Sequence, residues 1–270
     1  MILNDIILQK RKDLDELKQH MPLARLQRII EKTERPKPRS FRNALLSTRH
    51  LNIIAELKKA SPSEGILREN FQPLRIASLY EYAGACAISV LTEPHFFKGR
   101  PSYLKTVRQV TRLPLLRKDF IFDRFQLYET ALLEADAFLL IASILSEEEL
   151  KELISLGKEL RMDALVEIHS DAELKKALGA GATIIGINNR DLKTLKVDPE
   201  RAKQLIPHIP KGIAIVVESG LSSHDELMMY KSIGANAFLI GSTLMKSKDI
   251  AATLQKLLGK KETLITEAST

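Results

Sequence analysis

Residues 164–190 read ALVEIHSDAELKKALGAGATIIGINNR, with two short apolar runs, 164–168 and 183–187, on either side of a helical pattern. Asp171 opens the helical pattern and Gly179 closes it. Short β-branched runs that alternate with helical segments are typical of parallel sheets. The stretch therefore predicts a strand, a helix and a second strand parallel to the first.

The same alternation extends in both directions from this stretch. Eight apolar runs occur in the chain, at 53–57, 86–91, 113–116, 137–141, 164–168, 183–187, 213–217 and 237–240. Between them, Pro73 begins a helix that Gly84 ends, and Ser146 and either Ser222 or Ser223 are expected N-caps. Eight βα units predict an α/β protein with a (βα)8 TIM barrel. An open doubly wound sheet competes with it, but no GxGxxG loop follows the first run.

Residues 1–50 precede the barrel and are expected to form a helical extension packed on it. Apolar residues there are spaced like one buried helix face, namely Ile2, Leu3, Ile6, Ile7, Leu14 and Leu17. The segment Arg35-Pro36-Lys37-Pro38 is a predicted connector. We expect the barrel to span 51–258 and residues 259–270 to form a polar, frayed tail.

The composition indicates a soluble globular protein. The chain has 270 residues, of which 44% are apolar and 28% charged, and these values exclude disordered, collagenous and coiled-coil classes. Its single cysteine, Cys86, cannot form an internal disulfide, which fits a reducing compartment. No apolar run reaches the ~18 residues that a membrane span needs, and the first residues do not resemble a secretory signal. A cytoplasmic location is the resulting expectation.

Net charge favours an anionic partner. Lys and Arg total 41 against 34 Asp and Glu, which gives +7 with His neutral. This balance suits a small phosphorylated metabolite or a nucleic acid. Basic residues crowd the first fifty positions, but acidic residues interleave with them and no aromatic ladder is present to stack bases. A nucleic-acid binder with a vestigial barrel is therefore kept only as the less favoured alternative.

Polar residues follow the predicted strands at the end where barrel enzymes carry their reacting groups. They are Glu56, Lys58, Lys118, Glu167, His169, Asn188, Arg190, Glu218 and Ser219. Because side chains alternate along a strand, Glu56 and Lys58 share a face and should both point into the barrel mouth. A charged pair there is costly unless its members pair with each other or serve a ligand. We favour a functional role over a purely structural ion pair.

A phosphate site is expected after strands seven and eight. Gly220, Gly241 and Ser242 lie there, where glycine allows backbone N–H groups to approach an anion and serine adds a donor. These residues could equally make a simple strand-to-helix turn. The nearby cations Lys58, Lys118 and Arg190 favour the phosphate interpretation.

Other common sites are not supported by the sequence. The histidines form no HExxH or HxH pattern and Cys86 falls in the middle of a core-like run, so no metal is expected. Neither a GxSxG elbow nor a GxxxxGK[ST] loop is present, which leaves hydrolase and NTPase functions without support.

Seven segments along the chain closely resemble the indole-3-glycerol-phosphate synthase family. They are IIAELKKASPSEG (53–65), SVLTEPHFFKG (89–99), LLRKDFIFD (115–123), LVEIHS (165–170), IIGINNRDLKT (184–194), VVESGL (216–221) and FLIGSTLM (238–245). The resemblance covers essentially the whole chain, and ExKxxSPSxG together with GINNRDL is highly specific.

The resemblance implies an enzyme of tryptophan biosynthesis. Such an enzyme converts 1-(2-carboxyphenylamino)-1-deoxyribulose 5-phosphate to indole-3-glycerol phosphate, with release of carbon dioxide and water. No cofactor is implied, because the cyclised cationic intermediate is itself the electron sink. The implied partner is thus a small phosphorylated substrate, and we expect a monomer that binds neither nucleic acid nor membrane.

The resemblance also implies roles for individual residues. Lys118 would protonate the ribulose carbonyl, Glu167 would assist proton removal, and Glu56 with Lys58 would act near the later dehydration. Asn188, Glu218 and Ser219 complete the implied catalytic set, with Asn188 orienting the reacting groups. We expect the pKa of Lys118 to be lowered, as for a desolvated lysine among other cations.

Substrate contacts are implied for Ser61, Phe97, Phe120, Arg190, Leu192, Gly220, Gly241 and Ser242. Within this set, Phe97 and Phe120 would be apolar walls for the anthranilate ring, and Lys58 would join the serines and glycines at the phosphate. Val217 and Ser242 depart from the family pattern, where Ser often precedes the Glu and Glu often follows the Gly. These departures concern only the detail of the phosphate shell.

A sugar-phosphate isomerase of the phosphoribosylanthranilate isomerase type is the alternative enzyme on the same fold. Such an enzyme would need a cysteine or aspartate acid–base pair at the barrel mouth. The expected mid-strand position of Cys86 disfavours this alternative.

Overall fold

Eight parallel strands close into a barrel. This computed structural model describes residues 2–34, 38–47, 51–192 and 194–260. The barrel strands are β1 (Asn52–Leu57), β4 (Ala87–Leu91), β5 (Leu115–Lys118), β6 (Ala137–Ile141), β7 (Asp163–Ile168), β8 (Ile184–Asn188), β9 (Ala214–Glu218) and β10 (Ala237–Ile240). Each strand pairs with the next along the chain, and β10 pairs with β1. A short antiparallel hairpin, β2 (Ala60–Ser61) and β3 (Gly65–Ile66), follows β1. The predicted TIM barrel is confirmed.

Most predicted strand bounds differ from the observed ones by one or two residues, as the third run and Cys86 illustrate. The third run was placed at 113–116, but β5 begins at Leu115, because Pro114 has no N–H to donate to the ladder. Cys86 was placed in the middle of a strand, whereas β4 begins one residue later at Ala87. Cys86 therefore lies at the amino end of the barrel, away from the strand ends that carry the polar residues. Burial raises its pKa to about 12.

Helices surround the barrel. Those that follow β3 are α4 (Pro73–Ala83), α5 (Ser102–Arg108), α6 (Arg124–Leu132), α7 (Glu147–Glu159), α8 (Asp171–Gly179), α9 (Glu200–Leu205), α10 (His224–Ser232), α11 (Ser242–Lys246) and α12 (Ile250–Leu257), with short 3-10 turns at Ala142–Ile144 and Ile206–His208. Ser146 and Ser223 form capping boxes with the glutamates three residues later, and Gly84 ends α4 with φ of 103°. The helix ends predicted from the sequence are thus confirmed.

Alternation along each strand creates two apolar layers. One set of side chains, including Ile53 and Ile88, packs outward against the helices. The other set, including Ile54, Leu116 and Leu165, fills the barrel interior. Above the inner layer, the polar residues at the carboxyl ends of the strands are left to face a common cavity.

The amino-terminal segment contacts both ends of the barrel. It contains α1 (Ile2–His20), α2 (Leu23–Lys32) and α3 (Phe41–Leu45). Phe41 is fully buried, and the backbone N–H of Arg42 donates to Asp163 at the start of β7, so α3 lies at the amino end. Lys10 of α1 contacts Asp119, just beyond β5, so α1 lies at the carboxyl end.

One residue of the predicted helix face is exposed, and Ile2 and Ile7 are only partly buried. Leu3, Ile6 and Leu14 are buried, but Leu17 is 46% exposed, although its neighbour Lys18 pairs with Asp123 at 2.6 Å. The connector at Arg35-Pro36-Lys37 and the tail beyond Lys260 lie outside the described residues. In the part of the chain that is described, no helix combines the length and apolar character required of a bilayer span.

Candidate active site

A cavity opens at the carboxyl ends of the strands, the end where barrel enzymes carry their reacting groups. It is lined by most of the site residues predicted from the sequence, namely Glu56, Lys58, Ser61, Phe97, Lys118, Phe120, Glu167, Asn188, Arg190, Leu192, Glu218 and Ser219. The remaining three, Gly220, Gly241 and Ser242, line an adjoining cleft that shares Lys58, Arg190 and Ser219 with the cavity. The barrel thus brings residues from nearly the whole chain to one place.

Lys118, at the end of β5, occupies the centre of the cavity floor. Its Nζ lies 3.0 Å from Glu218 Oε2 on β9 and 3.3 Å from Glu167 Oε2 on β7. All three side chains are largely buried, with 13% of the lysine side chain exposed and 2% or less of each carboxylate side chain. A single ammonium group is therefore shared by two carboxylates in a site with little access to water.

The electrostatics of Lys118 differ from the prediction. Burial alone would lower the pKa of its ammonium group, but the charges of Glu218 and Glu167, and then of Glu56, raise that pKa above its ordinary value. The expectation of a lowered pKa assumed that the nearest charges were cations, and is wrong. The nearest charges are carboxylates, so Lys118 is held as a cation.

The two carboxylates have different environments. Burial favours the neutral form of Glu167, but Lys118, then His169 and a 3.1 Å hydrogen bond donated by Asn188 Nδ2, lower its pKa. Burial raises the pKa of Glu218 to about 7, and the nearby charge of Glu167 adds to that shift. Neither Glu218 oxygen accepts a hydrogen bond of good geometry from the described residues. Glu167 is thus the ionised member of the pair, and Glu218 is able to hold a proton near neutral pH.

Glu56 and Lys58 form a second charged pair at the end of β1. Lys58 Nζ lies 3.1 Å from Glu56 Oε2, and 16% and 5% of the two side chains are exposed. Their shared orientation toward the cavity agrees with the alternation argument. Gly241 passes so close that an added Cβ would collide with the Glu56 carboxylate, so a larger residue here would displace Glu56.

The loop after β8 is ordered by its own polar groups. The Asn188 side-chain oxygen accepts a hydrogen bond of 2.9 Å from the backbone N–H of Arg190. Arg190 Nη1 donates to the carbonyl of Leu195, also at 2.9 Å. These bonds fix Arg190 at the rim, where the cavity and the adjoining cleft meet.

The turn after β9 has an unusual backbone. Ser219 and Gly220 both have positive φ, of 68° and 76°. This conformation is natural for glycine but strained for serine, and strain of this kind tends to persist at functional sites. Asn189 supports the turn by donating to the carbonyl of Ser219 at 3.3 Å.

Two phenylalanines form an apolar wall of the cavity. The rings of Phe97 and Phe120 lie 6.1 Å apart between centroids and are inclined at 42°. Glu93 holds the loop that carries Phe97 by accepting backbone hydrogen bonds, including one of 2.9 Å from Phe97 N. Such a wall suits a planar aromatic group.

Sequence reasoning missed a part of this wall. Ile2, Leu3 and Ile6 of α1 also line the cavity. Their spacing indicated a buried helix face but contained no information on what that face covers. Glu64 and Lys246, in the adjoining cleft, were missed as well, because neither lies at the end of a barrel strand.

A buried polar network anchors α1 beside the cavity. Asp119 lies 2.7 Å from Lys10 Nζ and accepts hydrogen bonds of 2.6 Å from Thr92 and 3.0 Å from Arg117. Although burial opposes ionisation, Lys10 and Arg117 lower the pKa of Asp119 to about 2. Since Asp119 is adjacent to Lys118, the network ties the amino-terminal helix to the strand end that carries the central lysine.

The geometry provides acid–base groups, an apolar wall and an anion-binding rim. Among the described residues, no group of three or more His, Cys, Asp or Glu side chains has the arrangement of a metal site.

Comparisons with known proteins agree with this geometry. The family model for indole-3-glycerol phosphate synthase matches residues 3–257. The indole-3-glycerol phosphate synthase of Campylobacter curvus (strain 525.92) is 47% identical over 259 residues, which cover 95% of this chain and 99% of that protein. The one from Acetivibrio thermocellus is 45% identical over 259 residues, with 95% and 98% covered.

Similar solved structures extend the comparison at the level of fold. The 3-hexulose-6-phosphate synthase from Salmonella typhimurium has a TM-score of 0.63 at 15% identity, covering 77% of this chain and 97% of its own. A thiamine phosphate pyrophosphorylase from Pyrococcus furiosus has a TM-score of 0.59 at 17% identity, covering 81% and 96%. These structures share the barrel, whereas the family match and the two close relatives extend over the whole barrel and α1. The chain belongs to the indole-3-glycerol phosphate synthase family.

Proposed function

We propose that this chain catalyses the reaction of its family at the cavity centred on Lys118. The reaction is the ring closure of 1-(2-carboxyphenylamino)-1-deoxyribulose 5-phosphate to indole-3-glycerol phosphate, in tryptophan biosynthesis. The observation that carries the assignment of roles is the position of Lys118, whose Nζ lies within 3.3 Å of both Glu167 and Glu218 beside an aromatic wall.

In the first step, the ring carbon that bears the carboxylate attacks the ribulose carbonyl carbon. A C–C bond forms, and the carbonyl oxygen takes a proton from Lys118. The ammonium group also stabilises the charge that develops on this oxygen, and general acid catalysis of this kind is worth about 10²–10⁴-fold. Glu218 holds a proton near neutrality and lies 3.0 Å from Lys118 Nζ, so it is placed to return the proton.

In the second step, the C–C bond to the carboxylate breaks and carbon dioxide leaves. The electron pair of that bond restores the aromatic ring and neutralises the cyclised cation. Phe97 and Phe120 assist by holding the ring in an apolar environment, in which a carboxylate is poorly solvated.

In the third step, water leaves from the former carbonyl carbon and a proton leaves the adjacent CH₂ carbon, which creates the double bond of the indole. Lys58 is assigned as the acid for the departing hydroxyl group, and Glu167 as the base, with Glu56 keeping Lys58 in position at 3.1 Å. Asn188 orients Glu167 through the hydrogen bond that it donates.

The phosphate is assigned to the cleft beside the cavity. Lys58, Arg190 and Ser242 supply side-chain donors there, and Gly220 and Gly241 allow close approach of the backbone. Ser61, Ser219 and Leu192 complete the proposed contacts with the substrate. The monomeric state and the cytoplasmic location remain predictions from the sequence.

The reaction is tested directly by incubating the purified chain with the carboxyphenylamino substrate. We expect indole fluorescence to appear with one carbon dioxide released per indole formed. Isomerisation of phosphoribosyl anthranilate without release of carbon dioxide would instead identify the alternative enzyme. Cys86 is half-buried and lies at the opposite end of the barrel from the cavity, so nothing in the geometry favours that alternative.

A further inference from the structure

Glu64 projects from the turn of the β2–β3 hairpin into the cleft assigned to the phosphate. Its Oε2 accepts a hydrogen bond of 2.5 Å from Ser242 Oγ, and its Oε1 accepts one of 2.7 Å from Lys246 Nζ. Arg190 Nη2 lies 4.0 Å from Oε2. A carboxylate of the protein itself thus binds the donors that line the cleft.

The charge on Glu64 matches that of a ligand for this cleft. Partial burial favours the neutral form, but Lys246 and Ser242, with a further contribution from Lys58, lower its pKa. The side chain is therefore an anion held by the cleft's own hydroxyl and ammonium groups. A phosphate that entered would need the same Ser242 hydroxyl and would be repelled by the same carboxylate.

We propose that Glu64 is an intramolecular competitor for the substrate phosphate, and so a residue that sets the affinity of the enzyme for phosphorylated ligands. The inference rests on the proposed function for its placement of the phosphate. On binding, the carboxylate leaves Ser242, and the phosphate takes over the hydroxyl group and the attraction of Lys246 and Arg190.

The hairpin is built so that this exchange involves little rearrangement. It pairs through two residues on each side, Ala60–Ser61 and Gly65–Ile66. Ser63, Gly65 and Ile66 are exposed, so the tip has few packing contacts to break. Movement of the Glu64 side chain, with a small shift of the tip, is enough to vacate the cleft.

The expected effect follows from the fraction of molecules with an open cleft. If Glu64 occupies the cleft in nine molecules of every ten, the apparent dissociation constant of a phosphate is raised about tenfold. Removing the negative charge of Glu64 should therefore lower the apparent dissociation constant by about tenfold.

The test uses the full chain and inorganic phosphate as the probe, by isothermal titration calorimetry. Glu64→Gln keeps the size of the side chain but removes its charge, and Glu64→Ala removes the side chain beyond Cβ. Glu69→Gln, at an exposed position just after the hairpin, is the matched control. We expect phosphate to bind about tenfold more tightly to both Glu64 variants, with no change in the control.

Steady-state kinetics give a second readout. The KM for the phosphorylated substrate should fall by a similar factor in Glu64→Gln, because the competitor is lost. Unchanged or weaker phosphate binding in both Glu64 variants would overturn the inference. Glu64 would then either have no effect on phosphate binding or contribute to it.

The two proposals fail in different ways. If the parent chain forms indole-3-glycerol phosphate but the Glu64 variants bind phosphate no more tightly, the inference is wrong and the function stands. If phosphate binding tightens but no indole is formed, the competitor role stands and the proposed reaction is wrong. The calorimetric measurement requires no turnover, so the two results are independent.

Discussion

Glu167 and Glu218 are two buried carboxylates that share one ammonium group, and their surroundings separate their proton affinities. Glu167 has Lys118, His169 and Asn188 to stabilise its charge, whereas Glu218 has the charge of Lys118 but accepts no hydrogen bond of good geometry from the described residues. Pairs of groups with separated pKa values are how one site supplies an acid and a base at the same pH. The function of Glu218 therefore depends on an environment that is unfavourable for its charged form.

We predict that Glu218→Gln stabilises the protein at pH 8. In the unfolded chain Glu218 loses its proton near its ordinary pKa of 4.5, whereas the folded protein keeps that proton up to about pH 7. The folded state thus binds more protons in this window, and the free energy of unfolding falls as pH rises through it. The difference between the pKa of Glu218 in the folded and unfolded states lowers the free energy of unfolding by about 3 kcal/mol at pH 8, and the substitution should restore it.

Urea unfolding at pH 8 and pH 4 measures this effect. At pH 4 most Glu218 carboxyl groups are protonated in both states, so the variant and the parent should have similar stabilities. A variant that is no more stable than the parent at pH 8 would show that burial does not disfavour the ionised form of Glu218.

At the scale of elements, α1 both packs on the barrel and lines the cavity. Its apolar residues Ile2, Leu3 and Ile6 form part of the cavity wall, and its Lys10 is buried against Asp119. That ion pair helps to hold the helix in place, because Asp119 is itself fixed by Thr92 and Arg117. Loss of the pair should therefore affect stability and substrate affinity together.

We predict that Lys10→Met lowers the free energy of unfolding by about 3 kcal/mol, the lower end for breaking a buried ion pair, because Arg117 still pairs with Asp119. The KM should rise as α1 shifts from the cavity. Lys12→Met, on an exposed face of the same helix, is the control. Thermal unfolding and steady-state kinetics would disagree with this account if the two variants behaved alike.

The strands also show which features of the fold and of the site can be predicted from the sequence alone. The alternation of apolar runs and helical spacing predicted the barrel, and the strand ends predicted that Glu56, Lys118 and Glu167 would meet, because parallel strands all end on the same side. The start of β5 was misplaced because the apolar pattern does not register that Pro114 lacks a donor. The sense of the Lys118 pKa shift was misjudged because Glu218 lies 100 residues away along the chain, and its distance in space depends on barrel closure.

On the scale of the whole molecule, a net charge of +7 raises the question of a nucleic-acid partner. Part of the positive charge is used within the protein. Lys10, Arg117 and Lys118 are paired with carboxylates, and Lys58 and Arg190 face the cavity. A surface that followed a phosphate backbone would instead need exposed, unpaired cations in a row.

We predict that the protein does not bind DNA specifically. Fluorescence anisotropy with a labelled duplex at physiological salt should give no saturation below the ~10⁻⁶ M range of non-specific binding. The parent enzyme's own turnover serves as the control for a correctly folded sample. Saturable binding that weakens steeply with added salt would support a nucleic-acid function instead.

The proposed reaction depends most on Lys118, at the point where β5, β7 and β9 converge. The direct measurement is the rate of indole fluorescence increase at saturating substrate for Lys118→Met, with the exposed Lys105→Met as control. We predict a loss in kcat of about 10²–10⁴-fold, with the dissociation constant of the substrate nearly unchanged and the control fully active. A Lys118→Met protein that turns over at the parent rate would contradict the proposal that this lysine carries the chemistry.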